Sequence, residues 1–243
     1  QDKLNAIGDH VTGIKRIEKA IEHGDEIVIH DNDIISYGSN RVCYLYKSNP
    51  TKLIKVARHP EDWESDHKQS FSEWYVSKNI TSKGIECRVS LCEKWVRTNK
   101  GPGLVVNRII DNKGQSLTLR KLLFSKEISV ESALNMIEKI IKNFSEIGIP
   151  ASDFNIDNFI FEGDINNRKL IMVDGFSPKN LNLKTHLLLH SKVLSNYYTK
   201  RKWRKTKSRF TYCAEKVYAG NYRFAAATPL HDITPRYSNS SPR

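Results

Sequence analysis

Apolar and polar residues along the first half of the chain follow two different periods. Over residues 1–25 apolar side chains recur every three or four positions, which predicts an amphipathic helix that ends near Gly24. A second helical pattern covers residues 68–80 and includes Glu73. Short runs of β-branched and aromatic residues, bounded by turn residues, predict strands around these helices. The predicted strands are residues 26–30, 34–36, 41–46, 53–56, 85–97 and 103–110.

Helical periods dominate the second half of the chain. The longest apolar stripe covers about residues 129–147, where Ser129 can cap the first turn and Gly148 can end the helix. Two short strand patterns then predict a hairpin that ends directly before Asp174. The remaining predicted elements are helices at 117–124 and 184–208 and hairpin strands at 159–161 and 169–173.

The order of these elements predicts an α+β protein with two lobes. Strands with one helix come first and helices follow. We therefore expect an N-terminal antiparallel sheet lobe over about residues 34–112 and a minimal helical lobe over about 113–210. Residues 1–33 are expected to form an acidic extension, and residues 211–243, rich in small and polar residues, a flexible tail.

Composition restricts the class of protein. The 243 residues are 39% hydrophobic and 27% charged, which excludes a wholly disordered or a collagen-like chain. No apolar run approaches the roughly 20 residues of a membrane-spanning helix, so we expect none. The chain starts at Gln1 and not at Met, so we expect a processed or partial chain. Residues 1–30 lack the pattern of a secretory signal. Its four cysteines form no Cys-x-x-Cys pair, which favours a reduced, cytoplasmic protein.

Positive charge is concentrated at the C-terminal end of the chain. The formal net charge is +12, and residues 181–243 carry 13 Lys and Arg against two acidic residues. Such a segment attracts nucleic acid, anionic lipid or a phosphate-bearing substrate, although basic runs are also common on solvated helix faces. Trp203, inside the run, can stack on a base, enter a membrane surface or dock the helix onto its lobe. The cations at the centre of the run are Lys200, Arg201, Lys202, Arg204 and Lys205.

Five polar residues lie at defined positions relative to the predicted strands and helices. Lys55 lies inside an apolar strand, Glu73 on the next helix, Asp153 and Asn158 in the loop after the long helix, and Asp174 after the hairpin. Phosphoryl transfer needs oxygen ligands for Mg²⁺, a fixed cation for the phosphates, a carboxylate that pairs with this cation, and a second carboxylate for the acceptor hydroxyl. Each residue alone also fits a turn, a cap or a strand edge; the ordered set favours the chemistry.

These residues lie in motifs that resemble those of protein kinases. Residues 153–158 resemble the catalytic loop, in which Asp and Asn are five positions apart, and residues 172–176 resemble the Asp-Phe-Gly metal motif. Residues 54–56 resemble the strand that carries the kinase lysine, and residues 37–39 stand where the glycine-rich loop would be. Over roughly residues 34–210 the chain is similar to the PhoP-regulatory-network protein YrbL family, which is kinase-like and bacterial.

The resemblance implies a phosphotransferase that uses ATP and Mg²⁺. In such an enzyme Asp153 would be the catalytic base, and Asn158 and Asp174 would hold the metal. Lys55 would contact the nucleotide phosphates and pair with Glu73. The nucleotide-binding positions that the resemblance implies are Gly38, Ser39, Lys55, Glu73 and Asn155.

The chain departs from the kinase motifs at several positions, and these departures affect which class of phosphate acceptor we expect. Gly38 is the only glycine of the phosphate-covering turn, Ser152 replaces the usual Arg, Asn155 replaces a Lys, and Gly175-Phe176 inverts the usual order. Because no peptide-docking module follows, we expect a small molecule or a sugar as acceptor rather than a peptide. The alternatives are a catalytically inactive nucleotide-binding regulator, or a basic adaptor that binds anionic lipid or nucleic acid.

Overall fold

The computed structural model of the chain describes residues 17, 19–21, 26–38, 40–59, 67–81, 84, 86–164, 167–178 and 182–221. Ser39, most of the predicted N-terminal helix and the end of the predicted tail lie outside these described residues. Among the helices that are described, none is both long enough and apolar enough to cross a membrane.

The first lobe is a five-stranded antiparallel sheet with one helix packed against it. Its elements are β1 (Ile34–Tyr37), β2 (Arg41–Leu45), β3 (Lys52–Ala57), α1 (Lys68–Thr81), β4 (Cys92–Thr98) and β5 (Gly101–Asn107). The strands lie in the order β1-β2-β3-β5-β4. The predicted strand at 85–97 begins only at Cys92, and the predicted strand at 26–30 contributes a single bridge from Ile27 to Thr98.

The register between β2 and β3 decides which side chains face α1. Cys43 pairs with Lys55, and residues directly opposite in an antiparallel pair project from the same face. Arg41 lies two residues before Cys43 and therefore projects from this face as well. On the opposite face Val42 and Val56 belong to a separate, smaller apolar cluster. The alternation along two short strands thus puts Arg41 and Lys55 side by side.

The second lobe packs helices against a small three-stranded antiparallel sheet. Its elements are β6 (Leu117–Thr118), α2 (Leu119–Phe124), α3 (Val130–Ile147), a 3-10 turn (Ile156–Asn158), β7 (Phe159–Glu162), β8 (Lys169–Met172), α4 (Leu183–His190) and α5 (Lys192–Tyr218). Helix α3 confirms both predicted caps, because the Ser129 side chain accepts a hydrogen bond from the Ser132 N–H and Gly148 adopts a φ of 89°. The predicted helix at 184–208 is divided at Ser191.

Helix α5 extends further than the sequence predicts. Residues 211–218 belong to it and not to the predicted tail. Ala214 and Val217 are fully buried, and at helical spacing they continue the buried stripe that contains Trp203 and Phe210. Trp203 therefore docks the helix onto the lobe, and packing of the stripe continues the helix past the predicted boundary.

The described part of the N-terminal extension packs on the sheet lobe. Ile17 is 1% exposed and belongs to the main apolar core. Ile21 forms an isolated bridge with Trp95, as Ile27 does with Thr98, so both residues lie against β4. These contacts join the extension to the core of the first lobe, although its sequence is mostly polar and acidic.

Candidate active site

The loop that follows α3 combines buried apolar residues with an exposed carboxylate. Ile149 and Phe154 are buried, whereas Asp153 is exposed. The Phe154 ring lies 5.5 Å from the ring of Trp203, and the Thr199 hydroxyl donates to the carbonyl of Ile149 at 2.7 Å. Helix α5 thus packs against the loop through Trp203 and Thr199. Within the described part of the chain, the Asp153 carboxylate has no hydrogen-bond or ion-pair partner, so it is accessible to a ligand.

Gly175 brings the end of β8 against this loop. The backbone N–H groups of Ser152 and Asp153 both donate to the Gly175 carbonyl, at 2.9 and 3.1 Å. Gly175 has a φ of 77°, and a Cβ at this position would lie 2.6 Å from the Asp153 carbonyl oxygen. Because only glycine fits such an approach, the residue after Asp174 has to be glycine. The close contact gives a physical reason for the order Gly175-Phe176.

Polar residues at the end of the loop hold one another in place. The Asn158 side-chain N–H donates to the Asp153 carbonyl at 3.0 Å, so its amide oxygen stays available to a ligand. Asn155 caps the 3-10 turn by accepting from the Asp157 N–H at 3.3 Å. Asp157 forms a two-bond ion pair with Arg120 of α2, and one of these bonds is 2.6 Å long. In the structure Asn155 therefore has a capping role; contact with a nucleotide stays a prediction.

Glu73 is paired mainly with Arg41, which is not among the predicted site residues. Arg41 donates two bonds to the Glu73 carboxylate, at 2.8 and 2.9 Å. Lys55 Nζ lies 3.3 Å from Glu73 Oε2 and also donates to the Val173 carbonyl at 2.9 Å. Arg41, Lys55 and Glu73 are 5%, 7% and 0% exposed. The pairing of Lys55 with Glu73 that the resemblance implies is present, but Arg41 makes the shorter and more numerous bonds.

Asp174 is held by donors from three parts of the chain. Arg41 Nη2 lies 2.7 Å from Oδ2, while Oδ1 accepts from Gln69 Nε2 and from the Gly175 N–H, each at 2.7 Å. Arg41 therefore bridges Glu73 in the first lobe and Asp174 in the second. Arg41, Lys55, Glu73 and Asp174 together carry two positive and two negative charges, so the cluster is formally neutral.

The proximity of these charges controls their protonation. Burial alone would raise the pKa of Asp174, but Arg41 and Lys55 outweigh it and hold that pKa well below its usual value. Burial raises the pKa of Glu73, against the opposing effect of the same two cations. Burial would lower the pKa of Lys55, yet Glu73 keeps it above its usual value. Both basic groups are therefore charged at neutral pH, and Asp174 is an anion.

The side chains of Asn158 and Asp174 provide oxygen donors of the kind that bind a magnesium ion. The Asn158 amide lies against Gly175, since a Cβ on that glycine would be 3.1 Å from Asn158 Nδ2, and the Val173 N–H donates to the Asn158 carbonyl at 2.8 Å. An amide oxygen and a carboxylate are ligands that Mg²⁺ accepts. A carboxylate has about four lone-pair positions, of which three on Asp174 are taken. The remaining position is on Oδ2, the oxygen that Arg41 contacts, so a metal ion would share this oxygen with Arg41 or displace it.

In the predicted phosphate-covering turn, the backbone amide of Gly38 already has a partner within the protein. The Gly38 N–H donates to the Arg41 carbonyl at 2.7 Å, which closes the turn between β1 and β2. In this conformation the Gly38 amide is not available to a phosphate. Ser39, the other predicted residue of the turn, lies outside the described residues.

Two residues of the cluster, Arg41 and Gln69, were not among the predicted site residues. Arg41 is a charged residue at the start of an apolar strand, and it shares a face with Cys43 opposite Lys55. The alternation that puts Arg41 and Cys43 on one face of β2 is a signal the sequence contains, whereas their position opposite Lys55 depends on the strand register. Gln69 precedes Glu73 by one helical turn, which puts both on the same side of α1. Neither signal indicates that the partner is Asp174, 133 and 105 positions further along the chain.

Comparisons with known proteins give one family match and two similar solved structures. A family model described as PhoP regulatory network protein YrbL matches residues 27–210. The crystal structure of the Mycobacterium tuberculosis PknI kinase domain is similar, with a TM-score of 0.42 and 8% identity, over 80% of this chain and 89% of that chain. Its C20A mutant gives a TM-score of 0.41 and 7% identity, over 80% and 88%. A search of curated proteins found no match. The predicted α+β architecture, with an antiparallel sheet lobe followed by a helical lobe, is confirmed by the order of strands and helices.

Proposed function

We propose that this chain, which belongs to the PhoP regulatory network protein YrbL family, is an ATP- and Mg²⁺-dependent phosphotransferase that acts on a small molecule or a sugar. The observation that carries the proposal is the contact between the loop and Gly175, which holds Asp153, Asn158 and Asp174 in one place. Lys55, with its buried partner Glu73, faces this group from the first lobe and donates to Val173, the residue before Asp174.

In this proposal Asp153 receives the proton of the acceptor. The acceptor oxygen forms a bond to the γ-phosphorus of ATP, the bond from that phosphorus to the bridging oxygen breaks, and ADP leaves with the electron pair. The hydroxyl proton passes to the Asp153 carboxylate, which is exposed and has no other partner among the described residues. A free carboxylate at this point is what such a step requires.

The first lobe supplies positive charge for the phosphates. An ammonium group has three N–H donors, and Lys55 uses two of them, on Glu73 and Val173. The third is left for a phosphate oxygen. Asn158 and Asp174 would hold Mg²⁺, which neutralises phosphate charge when bound. Arg41, once displaced from Asp174, would be a second cation close to the phosphates.

The segment after Asp174 supports a small acceptor. The Ser152 hydroxyl donates to the Ser177 carbonyl and the Ser72 hydroxyl to the Pro178 carbonyl, both at 2.6 Å. Helix α4 begins at Leu183, so few residues separate it from Asp174. A stretch this short leaves little chain for a peptide-docking segment. We place the reaction in the cytoplasm, where ATP is available and the four cysteines would stay reduced.

The test is transfer from labelled ATP to a panel of sugars, polyols and nucleosides, read as ADP release and labelled product. Asp153→Asn is expected to keep nucleotide binding and to lose at least about 100-fold in transfer. Asp174→Asn is expected to abolish the Mg²⁺-dependent rise in melting temperature that ATP gives to the wild type. Asp164→Asn, in the exposed turn of the β7–β8 hairpin, is the matched control and should behave as wild type. Transfer that survives in both active-site variants would exclude the assignment.

A catalytically inactive nucleotide-binding regulator is the second candidate, and one observation favours it. Both oxygens of Asp174 accept bonds from protein donors, and Arg41 already pairs with the carboxylate that would hold a metal. A regulator of this kind would bind ATP equally well with and without Mg²⁺ and would release no ADP. Titration of ATP in the presence of a chelator, followed by a turnover assay, separates the two functions.

A further inference from the structure

Exposed apolar side chains are concentrated on the last two helices. Six of the nine large apolar residues that are exposed in the described part of the chain lie in α4 and α5. Val193 is 78% exposed, the highest value among them. Five of the six flank the junction of the two helices at Ser191, namely Leu183, Leu187, Val193, Leu194 and Tyr197. A cluster of this kind on a protein surface marks an interaction site.

Basic residues follow this apolar cluster along α5. Residues 183–218 contain ten Lys and Arg and one acidic residue. In the described structure only Lys207 among these cations has a carboxylate partner, Glu138 at 2.8 Å. Lys202, one of the five predicted contacts for an anionic partner, is half-buried. Its ammonium lies 5.5 Å from the Tyr198 ring, so we do not include it in the exposed set. The other four predicted contacts, Lys200, Arg201, Arg204 and Lys205, are exposed.

Helical geometry combines the two groups into one surface. Val193, Tyr197, Arg201 and Arg204 are spaced by three or four residues and therefore lie on the same side of α5. The buried stripe that contains Trp203 occupies the opposite side. We call the exposed side the basic–apolar face; it consists of Leu183, Leu187, Val193, Leu194, Tyr197, Lys200, Arg201, Arg204 and Lys205.

We propose that the basic–apolar face docks the protein on an anionic membrane surface. Interfacial helices place apolar and aromatic side chains at the boundary of the acyl chains while adjacent Lys and Arg bind lipid phosphates. The face has both parts, and its unpaired cations complement anionic headgroups. A nucleic acid would use the cations but would gain little from exposed Val193 and Leu194. The proposal does not depend on the catalytic assignment, because none of these residues touches the candidate active site.

The experiment is co-sedimentation of the full chain with phosphatidylcholine vesicles, with and without about 30% phosphatidylglycerol, at about 0.1 M salt. The wild type is expected to bind the anionic vesicles and not the neutral ones. Reversal of three charges (Arg201→Glu, Arg204→Glu, Lys205→Glu) should reduce the partition coefficient at least about 100-fold, since each cation near such a surface contributes roughly fivefold. Val193→Ser with Tyr197→Ser should reduce it about tenfold.

A matched charge control separates local docking from general attraction. Lys113→Glu, Lys121→Glu and Lys139→Glu change the net charge equally, at exposed positions that are not part of the face. This control should lose less than about fivefold in binding. Equal loss in both triple variants would overturn the proposal. So would undiminished vesicle binding in the serine variant, or tight salt-dependent binding of a DNA duplex that the serine substitutions do not change. Melting temperatures within a few degrees of wild type establish that every variant is folded.

Discussion

Replacing Arg41 should destabilise the protein more than replacing Lys55. The resemblance to kinases makes Lys55 the partner of Glu73, but the structure gives Glu73 two bonds from Arg41, at 2.8 and 2.9 Å, and a longer one of 3.3 Å from Lys55. Methionine is a suitable replacement for both, because it fills the volume of either aliphatic stem without charge. The two variants therefore compare two cations that share one carboxylate.

The magnitudes follow from what each variant leaves behind. Arg41→Met removes both bonds to Glu73, which is fully buried, and the bond to Asp174. Breaking a buried ion pair by removal of one partner costs about 3–5 kcal/mol. Lys55→Met leaves the Arg41–Glu73 pair intact and removes one weak bond and the donor to Val173, for about 1–2 kcal/mol. The two costs differ by about 1–4 kcal/mol, and each kcal/mol corresponds to roughly 2–4 °C in melting temperature for a chain of this length.

The assay is urea unfolding followed by circular dichroism and tryptophan fluorescence, with thermal melts in parallel. Arg41→Met/Glu73→Gln is the control: Glu73 keeps only its longer bond from Lys55 in Arg41→Met, so removal of this buried charge should recover part of the stability that Arg41→Met loses. If Lys55→Met is as destabilising as Arg41→Met, or if the double variant recovers nothing, the account of the charge cluster is wrong.

Three further predictions concern the same cleft. Because the pKa of Asp174 is held below its ordinary value of 3.8, its carboxylate stabilises the fold at neutral pH, and this contribution is lost as the pH falls below about 4. Unfolding free energies of the wild type should therefore fall by about 1.4 kcal/mol more per pH unit there than those of Asp174→Asn, and parallel curves would contradict the assigned ion pair. Gly175→Ala should cost at least about 2 kcal/mol in urea unfolding. Gly114→Ala, with a similar φ of 74° but nothing within 4 Å of its Cβ, should cost about 1 kcal/mol, and equal costs would argue against the close contact. Cys43 shares the cleft face with Lys55, so Mg-ATP should slow its alkylation several-fold, measured by peptide mass spectrometry. Cys213 of α5 should alkylate at an unchanged rate, and slowing at both thiols would point to a global effect.

Much of the fold is predictable because its signals are local. The stripe of α3, its Ser129 cap and its terminal Gly148 are adjacent in sequence to the helix that they define, and the structure confirms all three. The hairpin before Asp174 was predictable for the same reason, from two short strand patterns and a turn. Kinase-like spacing of Asp153 and Asn158 likewise lies within one loop.

Errors occur where an element depends on packing at a distance. Residues 211–218 are helical because Ala214 and Val217 find a buried surface on the second lobe, which composition does not reveal. The predicted strand at 26–30 has the right residues for a strand, but only Ile27 reaches a partner in β4. In both segments, contacts with residues distant in sequence decide whether the helix or the strand forms.

The sequence by itself determined the types of elements, their order, and the polar residues that stand between them, because helical and strand periods and caps are properties of adjacent residues. Only the tertiary structure decided that Arg41 and Gln69 would meet Asp174, and that Arg41 would be the main partner of Glu73. Charge pairing between positions more than 100 residues apart depends on strand register and on how the two lobes pack, and no local pattern of side chains specifies either.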